Sequence, residues 1–183
     1  MSNTLLAQDV TDLVKKGNLI QSGHEENVGP ASYLLTIGSY KEPGRAENRS
    51  VNLLKKGQGV VLRPHGSLLV GVIETVNMPN DMIGYLTLRS SYARGGLLPW
   101  GQGFVEPGYK GSITLMLYNG SGDYMPLVGG EQACHLILQN LDKATSAPYQ
   151  GPYGDTDSAT GDRERGNWNI VGSVGRVLTE GAA

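Results

Sequence analysis

Between Leu88 and Asn119 the sequence gathers the residue types that phosphate chemistry uses. Arg89-Ser90-Ser91-Tyr92-Ala93-Arg94 is followed by Gly103-Phe104-Val105-Glu106-Pro107-Gly108-Tyr109-Lys110-Gly111. Arginine forks match the geometry of phosphate oxygens, and serine hydroxyls and glycine-rich backbone N–H groups supply further donors. A carboxylate such as Glu106 can orient or deprotonate a nucleophilic water. The mixture suits a site that holds a triphosphate and places a water beside it. A surface-charged β-hairpin would use the same residue types with no chemistry at all.

Several other chemistries are excluded. The chain has three histidines, no H-E-x-x-H pattern and a single cysteine, so C-x-x-C is absent and a zinc-dependent nucleobase deaminase lacks its ligands. No G-x-x-x-x-G-K-[ST] phosphate loop occurs, and no G-x-S-x-G elbow supports a serine triad. Cys134 and His135 lie in the apolar run Ala133–Leu138. They are expected to be core residues, the cysteine for packing and the histidine with its polar atoms satisfied.

The elements that must position these residues are short. In 183 residues there are 27 glycines and nine prolines against 39% hydrophobic content, which argues for turns and short strands in one domain. Gln8–Lys16 is the one helical candidate: Val10, Leu13 and Val14 share a face, and Gly17 stands where a left-handed cap belongs. Apolar or alternating runs follow at Tyr33–Ile37, Gly59–Leu62, Ser67–Glu74, Ile83–Leu88, Ser112–Tyr118 and Cys134–Gln139. Turn chemistry such as Arg63-Pro64-His65-Gly66 and Met78-Pro79-Asn80-Asp81 separates them. This spacing predicts a mainly β protein, an antiparallel barrel or jelly-roll-like sandwich with one short N-terminal helix. Residues 1–149 form the expected domain, and 150–183, rich in Gly, Asp and Arg, a tail or a ligand-ordered lid. A net charge of −2 gives no electrostatic reason to expect nucleic acid or an anionic membrane as partner. No apolar stretch is long enough to span a bilayer and the N-terminus is not signal-like, so a cytoplasmic location is expected.

The order and spacing of these segments resemble the dCTP deaminase/dUTPase superfamily. Arg89-Ser90-Ser91-Tyr92-Ala93-Arg94 matches its R-S-S-x-x-R phosphate motif, and Gly103–Gly111 its G-x-[IV]-[DE]-x-G-[YFW]-x-G motif. Leu5-Leu6-Ala7-Gln8-Asp9, Val28-Gly29-Pro30-Ala31-Ser32-Tyr33 and Val76-Asn77-Met78-Pro79-Asn80-Asp81-Met82 are similar to its N-terminal helix, first strand entry and pre-signature turn. The resemblance implies a distorted barrel of the dUTPase type, assembled as a homotrimer with sites between subunits. It implies that Arg89, Ser90, Ser91 and Arg94 reach the triphosphate of a deoxynucleotide, dUTP or dCTP. Mg²⁺ would be bound through the phosphates and not by a protein cage, and Tyr109 would lie under the deoxyribose.

The sequence also departs from that pattern. Met116 stands where the deaminases carry a glutamate, and a thioether can neither take a proton from water nor deliver one to leaving ammonia. Gln102 replaces an alanine near the pyrimidine, and its amide offers both donor and acceptor. Pro99 replaces a histidine. Glu106 takes the place of the aspartate usual in dUTPases, displacing the carboxylate by about 1.5 Å, one C–C bond. Near the C-terminus, Arg165 and Trp168 are similar to the arginine and aromatic of a dUTPase lid. The expected reaction is hydrolysis of a pyrimidine deoxynucleoside triphosphate to monophosphate and diphosphate. Glu106 would place the water and Arg89 would neutralise phosphate charge. The alternatives are a dCTP deaminase with a rearranged site and a non-catalytic nucleotide-binding homologue.

Overall fold

A computed structural model describes residues 3–42, 52–100 and 103–151. In chain order the elements are β1 (Asn3–Thr4), α1 (Ala7–Lys16), β2 (Ile20–Gln21), β3 (Val28–Gly29), β4 (Ser32–Lys41), β5 (Asn52–Leu53), β6 (Gly59–Leu62) and β7 (Ser67–Asn77). There follow β8 (Met82–Leu88), α2 (Ser90–Arg94), β9 (Leu97–Pro99), β10 (Phe104–Val105), β11 (Lys110–Asn119), β12 (Met125–Val128) and β13 (Gln132–Asn140). A 3₁₀ turn, Glu25–Asn27, precedes β3.

The strands pair antiparallel along the path β10-β8-β13-β4-β7-β11-β9, with β6 and β12 forming a separate ribbon. The curvature comes from β4, which belongs to two sheets. Tyr33–Thr36 pair with β13, whereas Ile37 and Ser39–Lys41 pair with β7 after a shift in register. Gly38 sits at that switch, where an added Cβ would come within 2.8 Å of Ile73 Cγ1. A strand that changes sheets at a bulge is how a sandwich turns a corner without an open edge. The inward faces meet in one core. Val70, Val72 and Val76 of β7 join Leu115 and Leu117 of β11, Leu136 and Leu138 of β13, and Tyr33, Leu35 and Ile37 of β4. The result is the expected mainly β, half-barrel jelly roll.

Helix α1 closes one end of it. Asp9 accepts the Leu6 N–H at 3.0 Å, Lys15 and Lys16 sit in the last turn, and Gly17 ends the helix at φ 62°. Val10 and Val14 face the core. All six expected strands are present, most of them longer than their apolar runs. The Arg89–Arg94 motif, for which no element was expected, contains the helix α2. One local expectation needs correction, that plain alternation along Ser112–Tyr118 puts Ser112 on the face of Thr114, Met116 and Tyr118. A bulge between Ser112 and Thr114 turns Ser112 inward, where its hydroxyl donates to the Val72 carbonyl at 3.1 Å. Ser112 therefore does not share a face with Thr114, Met116 and Tyr118.

Candidate active site

Strand β8 runs directly into α2, and the junction is anchored to the start of β13. The Arg89 N–H donates to the Ala133 carbonyl at 2.9 Å, and its guanidinium Nη1 donates to the Gln132 carbonyl at 3.2 Å. Tyr92 adds a third tie, donating its hydroxyl to Glu131 Oε2 at 2.8 Å. Burial, reinforced by that carboxylate, raises the Tyr92 pKa, so the phenol stays a donor. These ties leave Ser90, Ser91 and Arg94 exposed beside a half-buried Arg89. A cavity of about 600 Å³ opens there, lined by Glu26, Asn27, Arg89, Ser91, Tyr92 and Gln132 among others.

Glu106 and Tyr109 lie elsewhere. Glu106 is exposed in the turn between β10 and β11, where its carbonyl accepts the Tyr109 N–H at 3.1 Å. Gly108, at φ 81°, closes this turn against Met78 and Pro79. The Tyr109 hydroxyl donates to the Ser112 carbonyl at 2.8 Å, and its ring meets Tyr149 edge-on at 5.4 Å. Burial pushes its pKa up to about 12. Beside this turn is a polar cavity of about 860 Å³, with Asn18, Gln21, Asn77, Asn80, Lys110 and Gln150 in its walls.

The two groups sit at opposite ends of β8. Val105 pairs with Gly84, so Glu106 lies level with Ile83, six residues before Arg89. At about 3.3 Å per strand residue they are on the order of 20 Å apart within one protomer.

Along β11, Ile113, Leu115 and Leu117 are buried, while Thr114, Met116 and Tyr118 face outward half-buried. The Met116 carbonyl accepts the Trp100 N–H at 2.8 Å, and the Trp100 ring meets Tyr118 edge-on at 5.6 Å. This face therefore presents a thioether and aromatic rings and no carboxylate.

Gln102, Arg165 and Trp168 lie outside the described residues. Cys134 is buried, and burial lifts its thiol to about 12, which suits packing and not attack. His135 bonds Ser32 Oγ through Nδ1 at 2.9 Å. Burial and the Arg89 charge hold its pKa below the ordinary value, so it is neutral near pH 7. Asn119 is fully buried and donates to the Leu62 and Asp123 carbonyls at 3.1 and 2.8 Å, a structural role.

One titratable residue escaped the motif reading. Glu74 is 0% exposed, accepts the Thr36 N–H at 2.9 Å and the Tyr33 hydroxyl at 3.2 Å, and has a raised pKa because burial disfavours its charge. A signal existed: Val70, Val72, Glu74 and Val76 alternate onto one face, which places a carboxylate among core valines.

Comparison with known proteins fits this geometry to a family. The family model described as dCTP deaminase-like matches residues 4–141. The chain belongs to that family. The dCTP deaminase of Pyrococcus horikoshii is 34% identical over 140 residues, 76% of this chain and 86% of that protein. A protein of Sulfurihydrogenibium sp. named "dCTP deaminase, dUMP-forming" is 28% identical over 116 residues, 63% of this chain and 64% of its own. The 2'-deoxycytidine 5'-triphosphate deaminase structure from Agrobacterium tumefaciens superposes with a TM-score of 0.63 at 18% identity, over 76% of this chain and 49% of that one. The last likeness speaks to fold alone. Membership at this level makes the protein an enzyme of the dCTP deaminase/dUTPase type that handles deoxynucleoside triphosphates.

Proposed function

We propose that the protein acts on dCTP and deaminates it with a site rearranged around Met116. The observation that carries this is the similarity to proteins named dCTP deaminases over most of the chain, the Pyrococcus horikoshii enzyme among them. It moves the weight from diphosphate release, which the residues alone favoured, to the chemistry of the base. Arg89, Ser90, Ser91 and Arg94 hold the triphosphate. The cavity beside them also contains the carboxylates of Glu26 and Glu131, so the triphosphate enters as its Mg²⁺ complex and not as a bare anion.

Met116 cannot move protons, Glu74 is sealed in the core, and Glu26 and Glu131 line the phosphate end of the site, so the proton work is assigned to Glu106. Its carboxylate takes a proton from the water that attacks C4 of cytosine and returns one to the departing ammonia. Arg89 and Glu106 are too far apart in one protomer to serve one substrate, which supports a site completed by a neighbouring copy in a homotrimer. Tyr109, braced by Ser112 and Tyr149, underlies the sugar.

Hydrolysis to monophosphate and diphosphate is the second reading. It is favoured by a retained carboxylate in the position where a dUTPase orients water, together with the loss at Met116. Incubation with each deoxynucleoside triphosphate and Mg²⁺, with ammonia, monophosphate and diphosphate all quantified, separates the two. Turnover restricted to dCTP with ammonia among the products is the expected result.

A further inference from the structure

A chain of hydrogen bonds leads from the core to the guanidinium of Arg89. It starts at Glu74 on β7, whose Oε1 accepts the Tyr33 hydroxyl of β4 at 3.2 Å. The Tyr33 oxygen in turn accepts from Asn27 Nδ2 at 3.3 Å, and the same amide nitrogen donates to Thr36 Oγ1 at 3.0 Å. Asn27 Oδ1 then accepts from Gln132 Nε2 at 2.6 Å. Gln132 closes the series, because its own carbonyl accepts from Arg89 Nη1 at 3.2 Å.

Gln132 occupies a particular place in the sheet. It pairs with Thr36, but the register shifts before Cys134 pairs with Leu35, so Gln132 lies on a bulge of β13. Bulges re-aim the groups next to them. Here the carbonyls of Gln132 and Ala133 both point at Arg89, one to its guanidinium and one to its N–H. At this bulge the Gln132 side chain is held by a hydrogen bond to a buried Asn27. The arrangement is costly by itself. A valine at position 74 would continue the row Val70, Val72, Val76 and need no buried carboxylate, and buried polar groups are commonly worth less to stability than well-packed apolar ones. Glu74, Tyr33, Thr36 and Asn27 are nevertheless buried, and the series is bonded link by link out to the half-buried Gln132 and Arg89.

We propose that Asn27 and Gln132 are positioning residues for Arg89, set from the core by the Glu74–Tyr33 pair, so that the remaining guanidinium donors face the cavity where the triphosphate binds. The inference rests on Arg89 being a phosphate ligand, and the test separates the two claims. Neither positioning residue needs to touch substrate. Gln132 fixes the carbonyl that takes one guanidinium nitrogen, and Asn27 fixes Gln132.

The test is a double-mutant cycle read by calorimetric binding of the α,β-imido analogue of dCTP with Mg²⁺, with deoxycytidine as control. Gln132→Met keeps the side-chain length and removes the donor; Asn27→Ala is the second, independent lesion. Each is expected to weaken the analogue roughly three- to tenfold while leaving deoxycytidine unchanged, and the loss should vanish when Arg89→Ala is already present. A merely structural role would give the same loss with or without Arg89, and that additivity would overturn the proposal. If Arg89→Ala alone leaves the analogue's affinity unchanged, the phosphate assignment falls, and the positioning claim with it. That failure is visible in the single variant, whereas failure of positioning alone is visible only in the double.

Discussion

On the proposed reading, Glu106 carries the proton work that the thioether of Met116 cannot perform. Glu106→Gln keeps the shape of the turn and removes the base. It should reduce turnover at least a hundredfold, on the order of general-base contributions, while dCTP affinity stays within a few fold. A KM that rises in step with the loss of kcat would assign Glu106 to binding instead. Glu74 makes a different prediction. Burial raises its pKa above the ordinary 4.5, so the folded protein holds this proton more tightly than the unfolded chain. The stability it contributes is complete below about pH 4.5 and is lost as pH rises through the folded value. Glu74→Gln cannot ionise, so the thermal midpoint of the native protein should fall relative to this variant as pH is raised above 4.5; parallel curves would contradict the assignment. Arg89, Ser90, Ser91, Arg94 and Glu106 could be singled out from the sequence because their types and spacing suggest phosphate and water chemistry. Asn27 and Gln132 could not, because neutral amides far apart in sequence reveal themselves only when strands bring them to 2.6 Å.

At the scale of elements, the turn after β10 is the most exposed to disruption. Gly108 needs its left-handed φ of 81°, and an added Cβ would lie 2.5 Å from Pro148 Cβ and 3.2 Å from the Tyr149 nitrogen. Gly108→Ala should therefore destabilise the protein by about 1–3 kcal/mol and lower turnover as well, since the same turn carries Glu106 and Tyr109. Unchanged melting and activity would mean that this turn is not held as described. The strands were readable because alternation over β7, β8, β11 and β13 is regular wherever one face is buried. Where regularity fails, so does the reading. The bulge at Ser112 reverses one side chain without any mark in the pattern, and α2 is too short for helical periodicity to show. The helical turn at Ser90–Arg94 is tied down by a backbone carbonyl of β13 and the carboxylate of Glu131, partners some forty residues away that no local pattern announces.

For the whole molecule, the separation of Arg89 from Glu106 along β8 is what leads the proposed reading to a site completed by a second copy. Light scattering should return about three times 19.5 kDa at working concentration. A monomer that turns over substrate at full rate would show that one protomer suffices. The barrel, its N-terminal helix and the family were legible from motifs spread along most of the chain, while the residues left the reaction open between diphosphate release and deamination, because Met116 stands where the resemblance implies a glutamate. The decisive measurement is therefore the product of dCTP itself. With Mg²⁺ and the unmodified protein, ammonia release should track dCTP consumption one for one and disappear in Glu106→Gln. Diphosphate release without ammonia, or tight dCTP binding with neither product, would contradict the account.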